Sequence, residues 1–144
     1  MEAAYQVLRY IKGSPDCGIL PHANNDLHLA AFCDSDWGAC LLARHSLTRY
    51  LVTLGGSPIS WKTKKHTTVS RSSTKAEYRS MTSVTSELVW LKALLASLGV
   101  FHTRAMHLFC DNQATLHIAK NAFFHERTKH IEIDCNFVRE KYHS

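Results

Sequence analysis

Hydrophobic and polar positions change period several times along the chain, and each change marks a predicted element. Residues 2–12 carry apolar side chains at helical spacing, and Gly13 followed by Ser-Pro-Asp ends that helix. Residues 27–33 alternate between two faces, as a strand does. Residues 50–54 form a second β-rich run, and a Gly-Gly-Ser-Pro loop leads into a third strand at residues 59–62. Three consecutive antiparallel strands are the simplest interpretation.

The longest helical pattern follows these strands. Its apolar residues recur at spacings of three and four, at Met81, Val84, Leu88, Leu91, Leu95 and Leu98. One of the hydroxyl residues at positions 72–74 can cap its start, and Gly99 suits the left-handed residue after its end. Glu77 lies four residues before Met81 and therefore falls on the same buried stripe. A surface helix would keep its acid off that face.

A second strand and helix follow the long helix. Residues 106–110 form an apolar strand, and a further helix is predicted over residues 111–120. The order strand, long helix, strand usually places the last strand parallel to an earlier one. If residues 106–110 pair in parallel with residues 27–33, Asp34 and Asp111 end at the same edge of the sheet.

These elements together predict an α/β fold, with a mixed sheet of antiparallel hairpin strands plus a parallel strand, flanked by helices. A final helix is predicted over residues 129–142. Trp61 and Trp90 are most simply interpreted as aromatic residues of the core.

Length and composition favour a single domain with a substantial core, since the chain has 144 residues. Lys and Arg outnumber Asp and Glu by 17 to 12, and the formal charge of +5 is compatible with a polyanionic partner. The five cysteines are scattered without a Cys-x-x-Cys pair, which favours a reduced, intracellular chain. No apolar stretch approaches the roughly 20 residues of a membrane helix, and the N-terminus does not resemble a secretory signal.

Three acidic residues stand at the ends of predicted apolar elements, namely Asp34, Glu77 and Asp111. Carboxylates at the edge of a core are costly to desolvate unless they gain a partner or a cation. Three that converge suggest a divalent-metal site. Each also has a simpler explanation: Asp34 as a turn residue, Asp111 as a helix N-cap, and Glu77 as an acid stabilised by the helix dipole.

The ten histidines do not form a zinc motif. His125 and His130 are five positions apart, whereas H-E-x-x-H places its histidines four apart on one helical face. No cysteine pair supplies the other half of a zinc knuckle. The sequence therefore does not predict structural zinc.

Several ordered strings of the sequence resemble one known family. They lie at residues 31–37 (AFCDSDW), 59–62 (ISWK), 67–73 (TTVSRSS), 76–79 (AEYR), 110–114 (CDNQA) and 125–133 (HERTKHIEI). These strings closely resemble the ribonuclease H domain of copia-type retrotransposon Pol polyproteins, and the last resembles its plant members especially. The match covers nearly the whole chain. It implies that residues 1–25 are the tail of a reverse-transcriptase or connection region and that residues 26–144 are the ribonuclease H-like domain.

The resemblance implies a mixed five-stranded sheet flanked by helices, and cleavage of the RNA strand of an RNA–DNA hybrid with two Mg²⁺ or Mn²⁺ ions. It maps the family's first three metal-binding, catalytic carboxylates onto Asp34, Glu77 and Asp111. Asp36 lies in the same string, but the family's first ligand is the earlier aspartate. The implied partners are the hybrid and the reverse-transcriptase region of the same polyprotein, in cytoplasmic virus-like particles or the nucleus and without a membrane.

Candidate contacts to the nucleic-acid backbone carry basic or amide side chains near these strings, at Lys62, Lys64, Lys65, Arg71, Asn112 and Gln113. Recognition of a hybrid would rest on 2′-hydroxyls, phosphates and groove shape rather than on base sequence. The alternative for the lysine run is a solvated strand end.

The sequence departs from the family pattern at several positions, among them Lys75, where an acidic residue is common. The family carries a fourth acidic ligand in a string similar to Leu-Ala-Asp near a C-terminal helix, and Glu132 and Asp134 come too early to match it. We therefore expect a domain without its last strand and helix, in which one ion is positioned less well. Arg49 stands where glycine is usual, which predicts a strained backbone there. The alternative function is a non-catalytic nucleic-acid-binding relic of such a domain.

Overall fold

The computed structural model describes residues 2–15, 18–21, 23, 27–40, 42–120, 137–138 and 140–141. Its elements are α1 (Glu2–Gly13), β1 (Leu29–Asp36), β2 (Leu47–Leu54), β3 (Ser57–Lys65), α2 (Ser73–Ser97), β4 (His107–Cys110) and α3 (Gln113–Lys120). The strands form one four-stranded sheet in the order β3-β2-β1-β4. The predicted α/β class is therefore confirmed, with four strands among the described residues rather than the five that the resemblance implies.

The two predicted hairpins are confirmed. β1 pairs antiparallel with β2 from Leu29 opposite Leu54 to Asp36 opposite Leu47, and β2 pairs antiparallel with β3. The turn between β2 and β3 needs glycine, because Gly55 and Gly56 have φ values of 58° and 82°. β2 and β3 extend several residues beyond the predicted runs, since cross-strand hydrogen bonds also recruit polar residues. β1 begins at Leu29, two residues later than predicted, and continues to Asp36.

The predicted parallel pair is also confirmed. β4 lies beside β1, with Ala30 opposite His107 and Cys33 opposite Cys110. The connection between the two strands contains α2, which packs on one face of the sheet. The residues that follow the paired cysteines, Asp34 and Asp111, therefore lie at the same end of neighbouring parallel strands.

The core lies between α2 and the sheet. Met81, Val84, Leu88 and Leu91 of α2 are buried against the apolar positions of β1 and β2, which are Leu29, Ala31, Cys33, Tyr50 and Val52. The predicted stripe weakens toward its end: Leu95 is half-buried and Leu98 is 70 % exposed, because Leu98 is the C-cap residue of the helix.

Both predicted caps of α2 are present. The Ser72 side chain accepts a hydrogen bond from the backbone N–H of Lys75 at 3.2 Å, which satisfies one free donor of the first turn. Gly99 follows the helix with φ of 81°, the left-handed conformation that ends many helices.

Several expectations about single residues are wrong. Trp61 and Trp90 do not belong to the core, since they are 61 % and 57 % exposed; Trp61 lies on the sheet face opposite α2, and Trp90 on the side of α2 away from the sheet. Arg49 lies in the middle of β2 and is not strained, whereas Arg44 has the only positive φ, 50°, among described residues other than glycine.

The predicted final helix over residues 129–142 falls mostly outside the described residues. Residues 137–138 and 140–141 are helical, and Val138 is buried in the core. In α1 the large apolar side chains Val7, Leu8 and Ile11 are more than half exposed. None of the described helices has the length and apolar content needed to cross a membrane.

Candidate metal centre

The candidate site forms where β1 and β4 end beside the first turns of α2. Two side chains, Ser80 and Trp37, join the end of β1 to its neighbours. The buried Ser80 hydroxyl of α2 lies 3.0 Å from the carbonyl oxygen of Asp34 and 3.2 Å from that of Arg49, so one helix residue ties β1 to β2. The indole N–H of Trp37 donates to the Ser70 carbonyl at 2.9 Å, linking the end of β1 to the segment before α2.

Glu77 is the buried acid of the site. It is 5 % exposed, as its place on the apolar stripe predicted. The backbone N–H of Ser35 donates to its Oε1 at 3.3 Å. Burial, then the nearby Cys110, Asp34 and Asp111, raise the pKa of Glu77 to about 7. The anionic form of this side chain therefore lacks a counter-charge, which a bound cation would supply.

Asp111 and Cys110 share the site with Glu77. Ligand atoms of these three residues all lie within 4.8 Å of one another. Ligands around a single divalent ion have separations of roughly 3–4 Å when each bond is about 2.1 Å long, so small side-chain movements would close this set on one ion. The two carboxylates suit a hard oxygen-seeking cation, whereas a thiol is not a preferred ligand of Mg²⁺.

Cys110 was not among the predicted site residues. Its Sγ lies 3.9 Å from Glu77 Oε2, and a hydrogen bond with Cys33 lowers the pKa of Cys110 to about 7. The same contact raises the pKa of the Cys33 thiol, as does burial. The available signal was strand alternation, because Cys33 and Cys110 both point toward α2 in their strands.

Asp34 does not join the Glu77–Cys110–Asp111 cluster. Its half-exposed carboxylate accepts a hydrogen bond from Arg49 at 3.4 Å, and the same guanidinium lies 2.9 Å from Asp36. Asp34 is nevertheless close enough for its charge to raise the pKa of Glu77. Asp34 therefore lies beside the cluster, but its carboxylate pairs with the Arg49 guanidinium.

The N-cap explanation for Asp111 is not supported, because Asn112 caps α3. Asn112 Oδ1 accepts from the backbone N–H of Thr115 at 2.9 Å. The buried Tyr78 hydroxyl donates to the Thr115 carbonyl at 3.2 Å and so connects α3 to α2, one residue from Glu77. Asp111 thus precedes a fixed helix start and keeps its carboxylate for other partners.

The residues predicted to contact nucleic acid lie in different parts of the structure. Lys62 and Lys64 are exposed on the edge strand β3, on the same side of the sheet as α2 and opposite Tyr50 and Thr48. The Lys65 ammonium lies 3.1 Å from Cys40 Sγ instead. Two further candidates, Arg71 and Gln113, are exposed near the starts of α2 and α3, and Asn112 is half-buried. His125, His130, Glu132 and Asp134 lie outside the described residues.

Comparison with known proteins identifies relatives of the chain. No protein-family model matches it. It is 42 % identical over 144 residues to the retrovirus-related Pol polyprotein from transposon RE1 and 42 % over 142 residues to that from transposon RE2, both of Arabidopsis thaliana. It is 37 % identical over 140 residues to the Pol polyprotein from transposon TNT 1-94 of Nicotiana tabacum.

These alignments cover between 96 % and 100 % of the chain but 10 % of each relative, so the chain spans about a tenth of their length. The fold and the end-of-strand acids described above belong to that shared segment. The chain is therefore homologous, over its whole length, to a segment of the Pol polyproteins of copia-type plant retrotransposons.

Proposed function

We propose that this chain is an endonuclease domain that hydrolyses the RNA strand of RNA–DNA hybrids during reverse transcription of a retrotransposon. The observation that carries the proposal is the buried Glu77 carboxylate beside Asp111, at the end of the parallel pair β1–β4. Homology to a segment of retrotransposon Pol polyproteins supports a hybrid as the substrate, since such elements copy RNA into DNA.

In this proposal Glu77 and Asp111 hold a divalent ion, and Asp34 completes the set when it turns from Arg49. Held by these residues, two Mg²⁺ or Mn²⁺ ions would supply activation of a water molecule and stabilisation of the leaving oxygen of a phosphodiester. The contribution of the protein is to hold the metal ligands in position. Ser35 fixes one oxygen of Glu77 by its N–H, and Ser80 fixes the backbone of Asp34.

The proton of Glu77 also has a defined role in this proposal. With a pKa of about 7 in the metal-free protein, Glu77 must lose its proton before it can act as an anionic ligand. Ion binding and proton release are thus linked at this side chain. No covalent intermediate on the protein is required.

The test measures cleavage of the RNA strand in a labelled RNA–DNA hybrid by the full chain, with Mg²⁺, with Mn²⁺ and with EDTA. We expect cleavage only with a divalent ion, and a loss of roughly two orders of magnitude or more in Glu77→Gln and Asp111→Asn. Glu87→Gln is the matched control, because Glu87 lies on the same helix and accepts from Ser60 Oγ at 2.7 Å, which glutamine can also do.

A second candidate function is a nucleic-acid-binding relic without cleavage. The observation that favours it is Arg49, whose guanidinium neutralises Asp34 and Asp36. Hybrid binding that persists in EDTA and is unchanged in Asp34→Asn, with no cleavage in either metal, would establish this candidate and exclude the first.

A further inference from the structure

A cavity of about 260 Å³ lies between β2, β3 and the face of α2 that follows Glu77. Its charged and titratable lining consists of Lys62, Lys64, His66 and Arg79, and Thr48 contributes a hydroxyl. We call this cavity the basic cleft. None of its residues belongs to the Glu77–Cys110–Asp111 cluster.

Strand register and helix position build the basic cleft. Lys62 and Lys64 are two apart on β3, so both point to the side of the sheet that α2 covers, and Lys64 lies opposite Thr48. From α2, the half-buried Arg79 donates through Nη1 to Thr68 Oγ1 at 2.8 Å, which orients its guanidinium. The remaining N–H groups of Arg79 stay available to a ligand.

His66 forms the polar end of the basic cleft. Its Nε2 lies 2.7 Å from Thr48 Oγ1, and its backbone N–H donates to the Ser46 carbonyl at 2.9 Å. Burial lowers the pKa of His66, and the nearby Arg79 and Lys64 lower it further. The pKa of the His66 imidazole therefore depends on the charges of the side chains around it.

The cations of the basic cleft have no acidic partner within the described part of the chain. The ion pairs found there both involve Arg49, so no carboxylate lies within 4 Å of Lys62, Lys64 or Arg79. The neighbouring acid Glu87 is engaged with Ser60. Unpaired like charges around a cavity repel one another, and an anionic ligand relieves that repulsion.

We propose that the basic cleft binds a backbone phosphate of the nucleic acid, a subsite that rests on the proposed hybrid-cleaving function. A planar guanidinium fork with two ammonium groups and a hydroxyl suits the oxygens of a phosphodiester. These groups contact the backbone alone, so the subsite positions the duplex without reading its sequence.

Strand register gives the distance between the basic cleft and the acidic cluster. Ser35, whose N–H binds Glu77, lies opposite Thr48, and Thr48 lies opposite Lys64. Two strand spacings, roughly 10 Å, therefore separate the backbone of Ser35, beside the acid, from the backbone of Lys64. At a rise of about 3.4 Å per nucleotide, this corresponds to roughly three steps along a strand. The cleft phosphate and the reacting phosphate can thus belong to one bound duplex.

The first experiment uses inorganic phosphate as the probe and the His66 ring proton as the NMR reporter. We expect phosphate to move this resonance and to raise the pKa of His66 in the wild-type chain, and the shift to disappear in Arg79→Gln. Lys92→Gln is the matched control, because Lys92 is exposed on the same helix and roughly 20 Å farther along it. Lys64→Gln serves as the second cleft variant, and thermal unfolding verifies that each variant folds.

The second experiment measures hybrid binding against salt concentration in EDTA, where cleavage is blocked. Loss of one phosphate contact in Arg79→Gln or Lys64→Gln lowers the slope of log K against log salt by about one, whereas Lys92→Gln leaves it unchanged. An unchanged slope in both cleft variants overturns the subsite, even if the chain cleaves hybrids. A phosphate shift at His66 without hybrid binding also overturns it, because the cleft then takes free phosphate only.

Discussion

Arg49 on β2 and Asp34 on β1 face each other across the antiparallel pair, and their side chains form an ion pair with 3.4 Å between Nη1 and Oδ2. The same arginine also pairs with Asp36 at 2.9 Å. If the proposed metal site forms, this cation competes with the metal ion for Asp34. In the proposed mechanism, cleavage then depends on which of the two cations Asp34 binds.

Substitution Arg49→Gln should therefore strengthen metal binding. Because the pair is half-exposed and screened by solvent, removing the positive charge beside Asp34 changes the interaction by about 1 kcal/mol, or roughly fivefold in the Mg²⁺ concentration needed for half-saturation. Calorimetric titration with Mg²⁺ measures this, with Lys92→Gln as the control. The free energy of unfolding should change by less than about 1 kcal/mol, because the pair is half-exposed. A weaker Mg²⁺ affinity in Arg49→Gln would contradict the competition.

The two aspartates of β1 should differ in effect. Asp34→Asn removes a proposed ligand and is expected to lower cleavage by an order of magnitude or more, since ligand positioning controls the rate. Asp36→Asn is the matched control, because it removes a second acid of the same strand that also pairs with Arg49 but is not a proposed ligand. Initial rates of hybrid cleavage at saturating Mg²⁺ compare the two. Equal losses would mean that Asp34 has no special role.

The raised pKa of Glu77 predicts a pH-dependent stability of the metal-free protein. The folded chain keeps the Glu77 proton up to pH about 7, whereas the unfolded chain releases it near 4.5. The stabilising contribution is therefore complete below pH 4.5 and is lost as the pH rises through 7, with a total of up to about 3 kcal/mol. Urea unfolding in EDTA at pH 5, 6.5 and 8 measures this decline. Glu77→Gln should remove that part of the slope, whereas Glu87→Gln should keep it.

Capping of α2 by Ser72 predicts a measurable loss in Ser72→Ala. The Ser72 side chain accepts from the N–H of Lys75, and removing an N-cap of this kind costs about 1 kcal/mol of stability. Ser73→Ala is the control, because Ser73 is exposed inside the first turn. Thermal unfolding compares the two variants at one pH. If both lose the same amount, helix propensity rather than capping explains the effect.

The hydrogen bond between Tyr78 and Thr115 predicts a link between the helices and the metal affinity. Tyr78→Phe removes the donor to the buried Thr115 carbonyl, at a cost of about 1–2 kcal/mol in unfolding free energy. Because α3 starts directly after Asp111, the half-saturating Mg²⁺ concentration should also rise. Tyr10→Phe is the control, since Tyr10 is 79 % exposed on α1. An unchanged Mg²⁺ affinity in Tyr78→Phe would separate fold stability from ligand position.

The order of the helices and strands and the pairing of the strands could largely be predicted from the sequence. Local periodicity and the rules for connections between elements leave few alternative topologies. The spacing of Glu77 from Met81 predicted its burial, and the strand–helix–strand order predicted the parallel pair β1–β4. These predictions required only the sequence positions of apolar residues.

The charge pairing of the site was not predictable. The contact between Arg49 and Asp34 depends on the register of β2, which begins at Leu47 rather than at the predicted Tyr50. Hairpin register is fixed by turn geometry and packing, which a hydrophobic pattern does not specify fully. The exposure of Trp61 depends on which face of the sheet α2 covers, and that too is a tertiary property.

The parallel pairing of β1 with β4 has a consequence for synthesis of the protein. The hairpins β1–β2–β3 and α2 leave the ribosome before β4 does, so a nascent chain that ends before His107 contains Glu77 without Asp111. Contacts between such distant segments form slowly, since a long loop must close first. The acid pair is thus completed only after translation has passed three quarters of this segment, and a growing chain stays without it until then.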